Sequence, residues 1–298
     1  MRRFPATCPV LGLLAGVLLV LGCETVEQTA LMTADIIERN PQLVKNEKDR
    51  PKWTAGAHAV TGLLTEIGPA EEIGMGQSLA VRAFASFGPP HPDEQLQSYV
   101  AKVGRLVALQ SERPTLPCSF AVVESAEPNA LALPGGYVFV STGLLRSLRS
   151  EGELACILGH EVCHVAQKHG IEIVGRDRAV TGLVDFGATL EADVAKYRQF
   201  IDLVYQKLTT EGYDQEYEWR ADEAGTQYAY RAGYRPDGLL PFLEASRASG
   251  KYMERYRIHP DPALRIARIQ AVLGSLGDYA RMPVLDDRYR RGVLSRLP

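Results

Sequence analysis

The sequence predicts an α+β fold that is mainly helical and includes a small sheet. Several long segments repeat apolar residues at the spacing of an amphipathic helix, the first from Ala70 to Phe87. Two short runs suited to strands, 118–124 and 137–141, are separated by turn-forming Pro and Gly. A capping signal, Ser150-Glu151-Gly152-Glu153, begins a further helix with an apolar stripe. These three observations favour one mixed domain.

The predicted elements follow one another without an internal repeat or a low-complexity tract. After the first helix, Gly88-Pro89-Pro90 interrupts the pattern, and Asp93 can cap a second helix to about Leu109. The two strands come next, and the helix after Ser150 is expected to close at Gly170. Further helices are predicted at 214–232 and from Asp261-Pro262 to about Leu273. We therefore assign residues 70–298 to one domain.

Composition and charge narrow the possible functions. The 298 residues are 46% hydrophobic and 23% charged, which is ordinary for a globular protein, and the formal net charge is −3. Basic residues are scattered, and no long basic run occurs. The sequence therefore gives little support for binding to nucleic acid.

The N-terminus has the pattern of a secretion signal. Arg2 and Arg3 precede an apolar run at 10–21, which is too short to span a bilayer comfortably but suits a signal peptide. The following Gly22-Cys23 resembles a bacterial lipobox, in which cleavage before the cysteine is followed by its acylation. We predict a signal peptide at 1–22, lipidation of Cys23, and a tether with a peripheral segment at 23–69. An uncleaved anchor and an ordinary signal peptide are the alternatives.

The centre of the third predicted helix carries His160-Glu161-Val162-Cys163-His164. Two histidines four residues apart share one face of a helix, so both imidazoles can reach one zinc ion. Glu161 is suited to take a proton from a zinc-bound water. The alternative is a pair of surface histidines, but the apolar surroundings argue against it because buried imidazoles need a partner.

A catalytic zinc site needs a third protein ligand and an open position for water. His169 follows His160 by nine residues, on the opposite side of a continuous helix, so we expect it to support the site or the fold.

Acidic residues farther along the chain are the other candidates for the third ligand. Glu218 and Asp222 are four residues apart, so one can bind metal while the other orients a histidine. On spacing alone, Glu216 and Glu223 compete with them, and an exposed acidic face is an equal alternative.

Several motifs together resemble the HtpX and CAAX-prenyl-protease type family of zinc metallopeptidases, the gluzincins. They are HEVCHVAQKH at 160–169, EWRAD at 218–222, NALALPGGYVFVSTGLL at 129–145, EEIGMGQSLA at 71–80 and HPDPALR at 259–265. The resemblance covers roughly residues 70–275. It implies a zincin-type metallopeptidase domain whose active-site helix carries His-Glu-x-x-His. It also implies one zinc per chain, with Glu218 as third ligand and Asp222 supporting the site.

The resemblance also implies a place where substrate binds. It aligns Gly135, Gly136, Tyr137 and Val138 with an edge strand whose backbone pairs with an extended substrate. The alternative is a hairpin turn that precedes a core strand.

Two residues of the HPDPALR motif receive catalytic roles from the resemblance. His259 and Arg265 could donate hydrogen bonds to the tetrahedral oxyanion. His259 could instead cap the zinc and hold the enzyme latent, or serve only the structure of its loop.

These features together predict hydrolysis of peptide bonds in misfolded or stalled proteins of the bacterial envelope. The family's integral-membrane members have spans around the catalytic motif, whereas this chain resembles the soluble periplasmic branch of BepA-like and LoiP-like proteases. Its expected location is the periplasmic face of a membrane, the outer rather than the inner one because Glu24 follows Cys23. The alternatives are a chaperone or assembly factor for outer-membrane proteins, with latent proteolysis and contacts to the assembly machinery, and a non-catalytic zinc scaffold.

Overall fold

The structure, a computed structural model, describes residues 67–173, 194–248 and 261–297. Apart from Ile67, all of these belong to one compact unit. Its helices are α1 (Pro69–Phe87), α2 (Glu94–Ala108), α3 (Thr142–Ser147), α4 (Glu151–Ala166), α5 (Val194–Gln206), α6 (Gln215–Arg231), α7 (Leu239–Ala248), α8 (Pro262–Ser275) and α9 (Asp286–Gly292). Its strands are β1 (Ser119–Val123), β2 (Ala130–Leu133) and β3 (Tyr137–Ser141). The mainly helical α+β fold is therefore confirmed, while the signal peptide and Cys23 lie outside the described residues.

Side-chain caps start the helices where the sequence predicts them. The Asp93 carboxylate accepts the backbone N–H groups of Gln95 and Leu96, at 2.8 and 3.1 Å. The Ser150 hydroxyl accepts the N–H of Glu153 at 3.1 Å. The expected capping box is only half formed, because the Glu153 carboxylate accepts the N–H of Arg149 rather than that of Ser150.

The sheet has the order β1-β3-β2, so β3 is its central strand. β3 runs parallel to β1 and antiparallel to β2, with Val138 level with Phe120 on one side and Ala132 on the other. The expected edge strand at Gly135–Val138 is therefore wrong. Tyr137 and Val138 begin the central strand, because the short connection from β2 folds that strand back along the outside of β3.

Gly135 and Gly136 form the tight turn between β2 and β3, with φ angles of 75° and 92°. The turn is fixed to α1 by the buried Glu72, whose carboxylate accepts the N–H of Gly135 at 3.1 Å. Arg113 pairs with both oxygens of the same carboxylate, at 2.9 and 2.7 Å. Because the buried charge is paired and hydrogen-bonded, this network holds the end of the sheet in place.

Helix α4 lies at the centre of the unit. Every one of its residues is buried, and it packs against α2 on one side and α6 on the other. The helix ends at Ala166, earlier than the predicted close at Gly170, and residues 169–173 form a separate helical segment. The chain turns between them at Lys168, whose φ of 59° is left-handed and cannot continue an α-helix.

Glycines allow α4 and α6 to touch backbone to backbone. A Cβ atom at Gly159 would lie 2.6 Å from the carbonyl oxygen of Gly225, and one at Gly225 would lie 2.4 Å from the nitrogen of His160. Any larger residue at either position would push the helices apart. This approach brings the first turns of α6 beside the histidines of α4.

Within the ranges that the structure describes, no helix is both long and apolar enough to cross a membrane.

We predict that Gly225→Ala lowers the free energy of unfolding by roughly 1–3 kcal/mol, because the added methyl overpacks the contact with His160. Urea denaturation of the purified domain measures this change. Gly274→Ala is the matched control, since Gly274 also lies in a helix but has nothing within 4 Å of an added Cβ. That control should gain up to about 1 kcal/mol from helix propensity. A Gly225→Ala protein as stable as the wild type would contradict the prediction.

Candidate metal centre

Three buried side chains converge where α4 meets α6. The Nε2 atoms of His160 and His164, one turn apart on α4, lie 3.1 Å from each other. Oxygens of the Glu218 carboxylate, in the first turn of α6, lie 3.5 Å from Nε2 of His160 and 3.4 Å from Nε2 of His164. One ligand atom from each residue lies within 4.8 Å of the others. Two imidazole nitrogens and a carboxylate oxygen in this arrangement fit the three protein ligands of a catalytic zinc.

The other acidic candidates lie elsewhere on α6. Glu216 is exposed and pairs with Arg220 at 3.0 Å. Glu223 pairs with Arg268 at 2.5 Å on the surface of the same helix. Among the acids that spacing left open, the fold thus brings Glu218 to the histidines.

His160 is oriented by an ion pair behind it. Its Nδ1 lies 2.9 Å from Oδ1 of Asp222, so a proton on Nδ1 directs the lone pair of Nε2 into the metal cluster. Burial alone would raise the pKa of Asp222, but the neighbouring Arg265 and His160 bring it well below its usual range. Burial also opposes charge on His160, yet Asp222 and Glu218 together raise its pKa. Asp222 therefore stays ionised and lies beside Nδ1 of His160, the nitrogen that faces away from the metal cluster.

Arg265 takes a different position from the one expected. Its Nε and one terminal nitrogen each lie 2.7 Å from an oxygen of Asp222, in a buried bidentate pair. Packing of α8 against α6 directs the guanidinium to this carboxylate. Arg265 thus contacts the candidate site through Asp222, which in turn holds His160. Its expected hydrogen bond to an oxyanion stays a prediction. The other residue of that motif, His259, lies outside the described residues.

His164 is supported by His169 rather than by a carboxylate. Their Nδ1 atoms lie 2.9 Å apart, and both side chains are buried. Burial lowers the pKa of His169 to about 4, so this imidazole is neutral and can accept the proton of His164. His169 thus contacts a histidine of the cluster from outside it, as a supporting residue would. It reaches His164 because the chain turns at Lys168; on a continuous helix it would lie on the opposite side.

Two tyrosines near the start of α6 complete the surroundings of these histidines. The ring of Tyr213 stacks on that of His164, with centroids 3.9 Å apart, and Tyr217 stacks on His169 at 4.3 Å. The Tyr213 hydroxyl donates to the carbonyl of Ala132 at 3.2 Å. The sequence analysis did not single out either tyrosine. Two aromatic residues four apart, just upstream of Glu218, are the pattern that could have indicated them.

The metal cluster opens into a cavity of about 340 Å³. Glu161 lines this cavity beside the two histidines, as its expected role requires. Residues of β2 line the cavity, together with Tyr205 in α5 and residues of the segment 208–213 that follows this helix. The space is large enough for part of an extended peptide to approach the cluster and Glu161.

Comparison with known proteins agrees with this geometry. Residues 90–273 match the sequence profile of peptidase family M48. The Beta-barrel assembly-enhancing protease of Escherichia coli (strain K12) is 26% identical over 231 residues, covering 73% of this chain and 47% of that protein. Mitochondrial metalloendopeptidase OMA1 of Schizosaccharomyces pombe is 29% identical over 176 residues, covering 58% of this chain and 51% of that protein. The mitochondrial metalloendopeptidase OMA1 of Bos taurus is 33% identical over 169 residues, covering 51% of this chain and 32% of that protein.

The profile match covers more than half of the chain and confirms the resemblance inferred from the motifs. The chain spans about half the length of the first two of these relatives.

We predict that the wild-type protein binds one zinc per chain and that Glu218→Ala loses it. Residues that only hydrogen-bond to a zinc ligand contribute about 10- to 100-fold to metal affinity, so removal of a ligand itself should weaken zinc binding by at least that factor. Zinc content by mass spectrometry and competition with a chromophoric chelator measure the change. Glu216→Ala and Glu223→Ala are the controls and should keep the metal. Zinc retained in Glu218→Ala would contradict the ligand assignment, and loss of zinc from Glu216→Ala or Glu223→Ala would point to that residue instead.

Proposed function

This chain belongs to peptidase family M48, and we propose that it is a zinc metalloendopeptidase. The observation that carries the proposal is the convergence of His160, His164 and Glu218 at a cavity that Glu161 also lines. A structural zinc site would be closed by a fourth protein ligand, whereas three ligands beside an open cavity suit catalysis.

When bound, zinc would polarise the scissile carbonyl and lower the pKa of the attacking water. Glu161 would accept the proton of that water and pass it to the leaving amine. The chain's remaining contribution is orientation: Asp222 and Arg265 hold His160, and His169 holds His164. These contacts keep both imidazoles in the tautomer that presents Nε2.

We propose β2, rather than the segment at Gly135–Val138, as the strand that pairs with substrate. β2 is an outer strand of the sheet and forms a wall of the cavity. An extended peptide can add to such a strand through backbone hydrogen bonds, independently of its side chains. This mode of binding suits a protease that acts on unfolded polypeptides.

We expect Glu161→Gln to retain zinc and to hydrolyse casein at least about 100-fold more slowly than the wild type, because the amide cannot accept the proton of the water. Release of acid-soluble fluorescent peptides measures the rate. Glu216→Gln is the control, since it neutralises an exposed carboxylate outside the cavity and should leave the rate unchanged. Hydrolysis at the wild-type rate by Glu161→Gln would exclude the proposed mechanism.

The cellular part of the proposal is quality control of envelope proteins by an enzyme anchored through Cys23. It is supported by the signal-like N-terminus and by relatives whose name is Beta-barrel assembly-enhancing protease. Misfolded or stalled outer-membrane proteins would be the substrates.

The name Beta-barrel assembly-enhancing protease also favours a second candidate function, that of an assembly factor with secondary proteolysis. That activity should survive Glu161→Gln in an assay of outer-membrane protein assembly, whereas quality control by cleavage should not.

Lipid anchoring predicts that labelled palmitate enters the full-length protein in a bacterial host and is absent from Cys23→Ser. Fluorography of the immunoprecipitated protein measures incorporation. Cys118→Ser is the control, because Cys118 is a free, partly exposed thiol of the folded domain and should not affect labelling. An unlabelled wild type of the cleaved size would indicate an ordinary signal peptide.

A further inference from the structure

Tyr213 connects the metal cluster to the outer side of the sheet. Its ring lies flat on His164, with an angle of 14° between the ring planes. Its hydroxyl donates to the backbone carbonyl of Ala132 in β2 at 3.2 Å. One side chain therefore contacts both a proposed metal ligand and the strand proposed to bind substrate.

The hydrogen-bond pattern of the sheet shows what this carbonyl would otherwise do. Ser141 donates its N–H to the carbonyl of Asn129, so these two residues form a hydrogen-bonded pair between β3 and β2. In an antiparallel ladder such pairs alternate with pairs that direct their polar groups outward. By this alternation, Ala130 and Ala132 direct their N–H and C=O groups away from β3. The carbonyl of Ala132 is thus one of the acceptors that an added strand would use.

The chain before Tyr213 has an unusual conformation. Lys207–Glu211 forms a π-helical turn at the end of α5, and Gly212 follows with φ 70° and ψ −159°. This backbone geometry is available essentially to glycine alone. Tyr213 follows this glycine in the connection between α5 and α6, and its hydroxyl reaches β2 beside the cavity.

We propose that Tyr213 is a specificity-determining latch whose hydroxyl occupies the Ala132 carbonyl until a backbone N–H of an extended substrate replaces it. The inference rests on the proposed peptidase function and identifies the substrate class as polypeptide with unpaired backbone N–H groups. Folded segments, whose N–H groups are already bonded, cannot displace the phenol. The latch therefore favours unfolded chains over native proteins without reading their side chains.

The test measures binding apart from hydrolysis. In zinc-loaded Glu161→Gln protein, Tyr213→Phe should lower the Kd for fluorescein-labelled casein by about 2- to 10-fold, the effect of one hydrogen bond that substrate no longer has to break. Fluorescence anisotropy measures the Kd. In the otherwise wild-type enzyme, KM should fall by a similar factor, while kcat stays within about twofold.

The matched control is Tyr289→Phe. The Tyr289 hydroxyl also donates to a backbone carbonyl, that of Leu145 at 2.7 Å, but the residue is buried away from the cavity lining. Loss of this hydrogen bond in Tyr289→Phe should lower the free energy of unfolding without changing the Kd for casein. A Kd that is unchanged or raised in Tyr213→Phe would overturn the proposal, as would a fall in kcat with KM unchanged.

A second variant keeps the test decisive if Tyr213→Phe loses its zinc or fails to fold. Ala130→Pro removes an outward N–H of β2 at a position where proline does not interrupt the pairing with β3. It should weaken casein binding by about 2- to 10-fold, and unchanged binding would exclude pairing along β2 and with it the latch. Absence of hydrolysis by the zinc-loaded wild type would refute the peptidase proposal, while tighter binding by Tyr213→Phe would still support the latch.

Discussion

The contact between the backbones of α4 and α6 at Gly159 and Gly225 is the constraint on which the site depends. Without side chains at this crossing, the two helices approach closely enough for the Glu218 carboxylate to come within 3.5 Å of both imidazoles. The Glu218 carboxylate, in the first turn of α6, is thereby buried beside the imidazoles, and burial of such a charge without a partner would be unfavourable. The fold overcomes the cost of burying these groups by packing α4, buried along its whole length, against α2 and α6.

The two histidines are supported in chemically different ways. His160 faces an ionised Asp222 that is itself held by two hydrogen bonds from Arg265, whereas His164 faces the neutral His169. A carboxylate makes the opposite nitrogen more basic, while a neutral imidazole does so less. The resulting metal site would combine one strongly and one moderately donating ligand. Aromatic stacking of Tyr213 and Tyr217 adds rigidity on the side of the histidine with the weaker partner.

The incorrect and the incomplete predictions share a cause. The Pro-Gly-Gly turn and the apolar run after it were recognised correctly, but whether a strand lies at the centre or at the edge depends on its neighbours. Here β2 folds back along β3 and becomes the outer strand beside the cavity. The resemblance gives Arg265 a role at the oxyanion, yet in the packed protein its guanidinium pairs with Asp222, 43 residues earlier in the chain. A sequence motif does not show which strands lie beside β3 or which carboxylate lies beside Arg265.

The sequence by itself determined the local structure and the chemistry of the site: the helix that starts at Ser150, the two strands, and the pair His160 and His164 with Glu161 between them. These follow from periodicity, capping and i, i+4 spacing, which act over a few residues. Spacing left Glu216 and Glu223 open beside Glu218, which the family resemblance favours, and the tertiary structure shows Glu218 at the histidines. Only the tertiary structure decided that His169 turns back to His164 and that Tyr213 reaches Ala132. Those contacts join residues on different elements, and their distances are set by the packing of α4 and α6 and by the turn at Lys168, which no local pattern records.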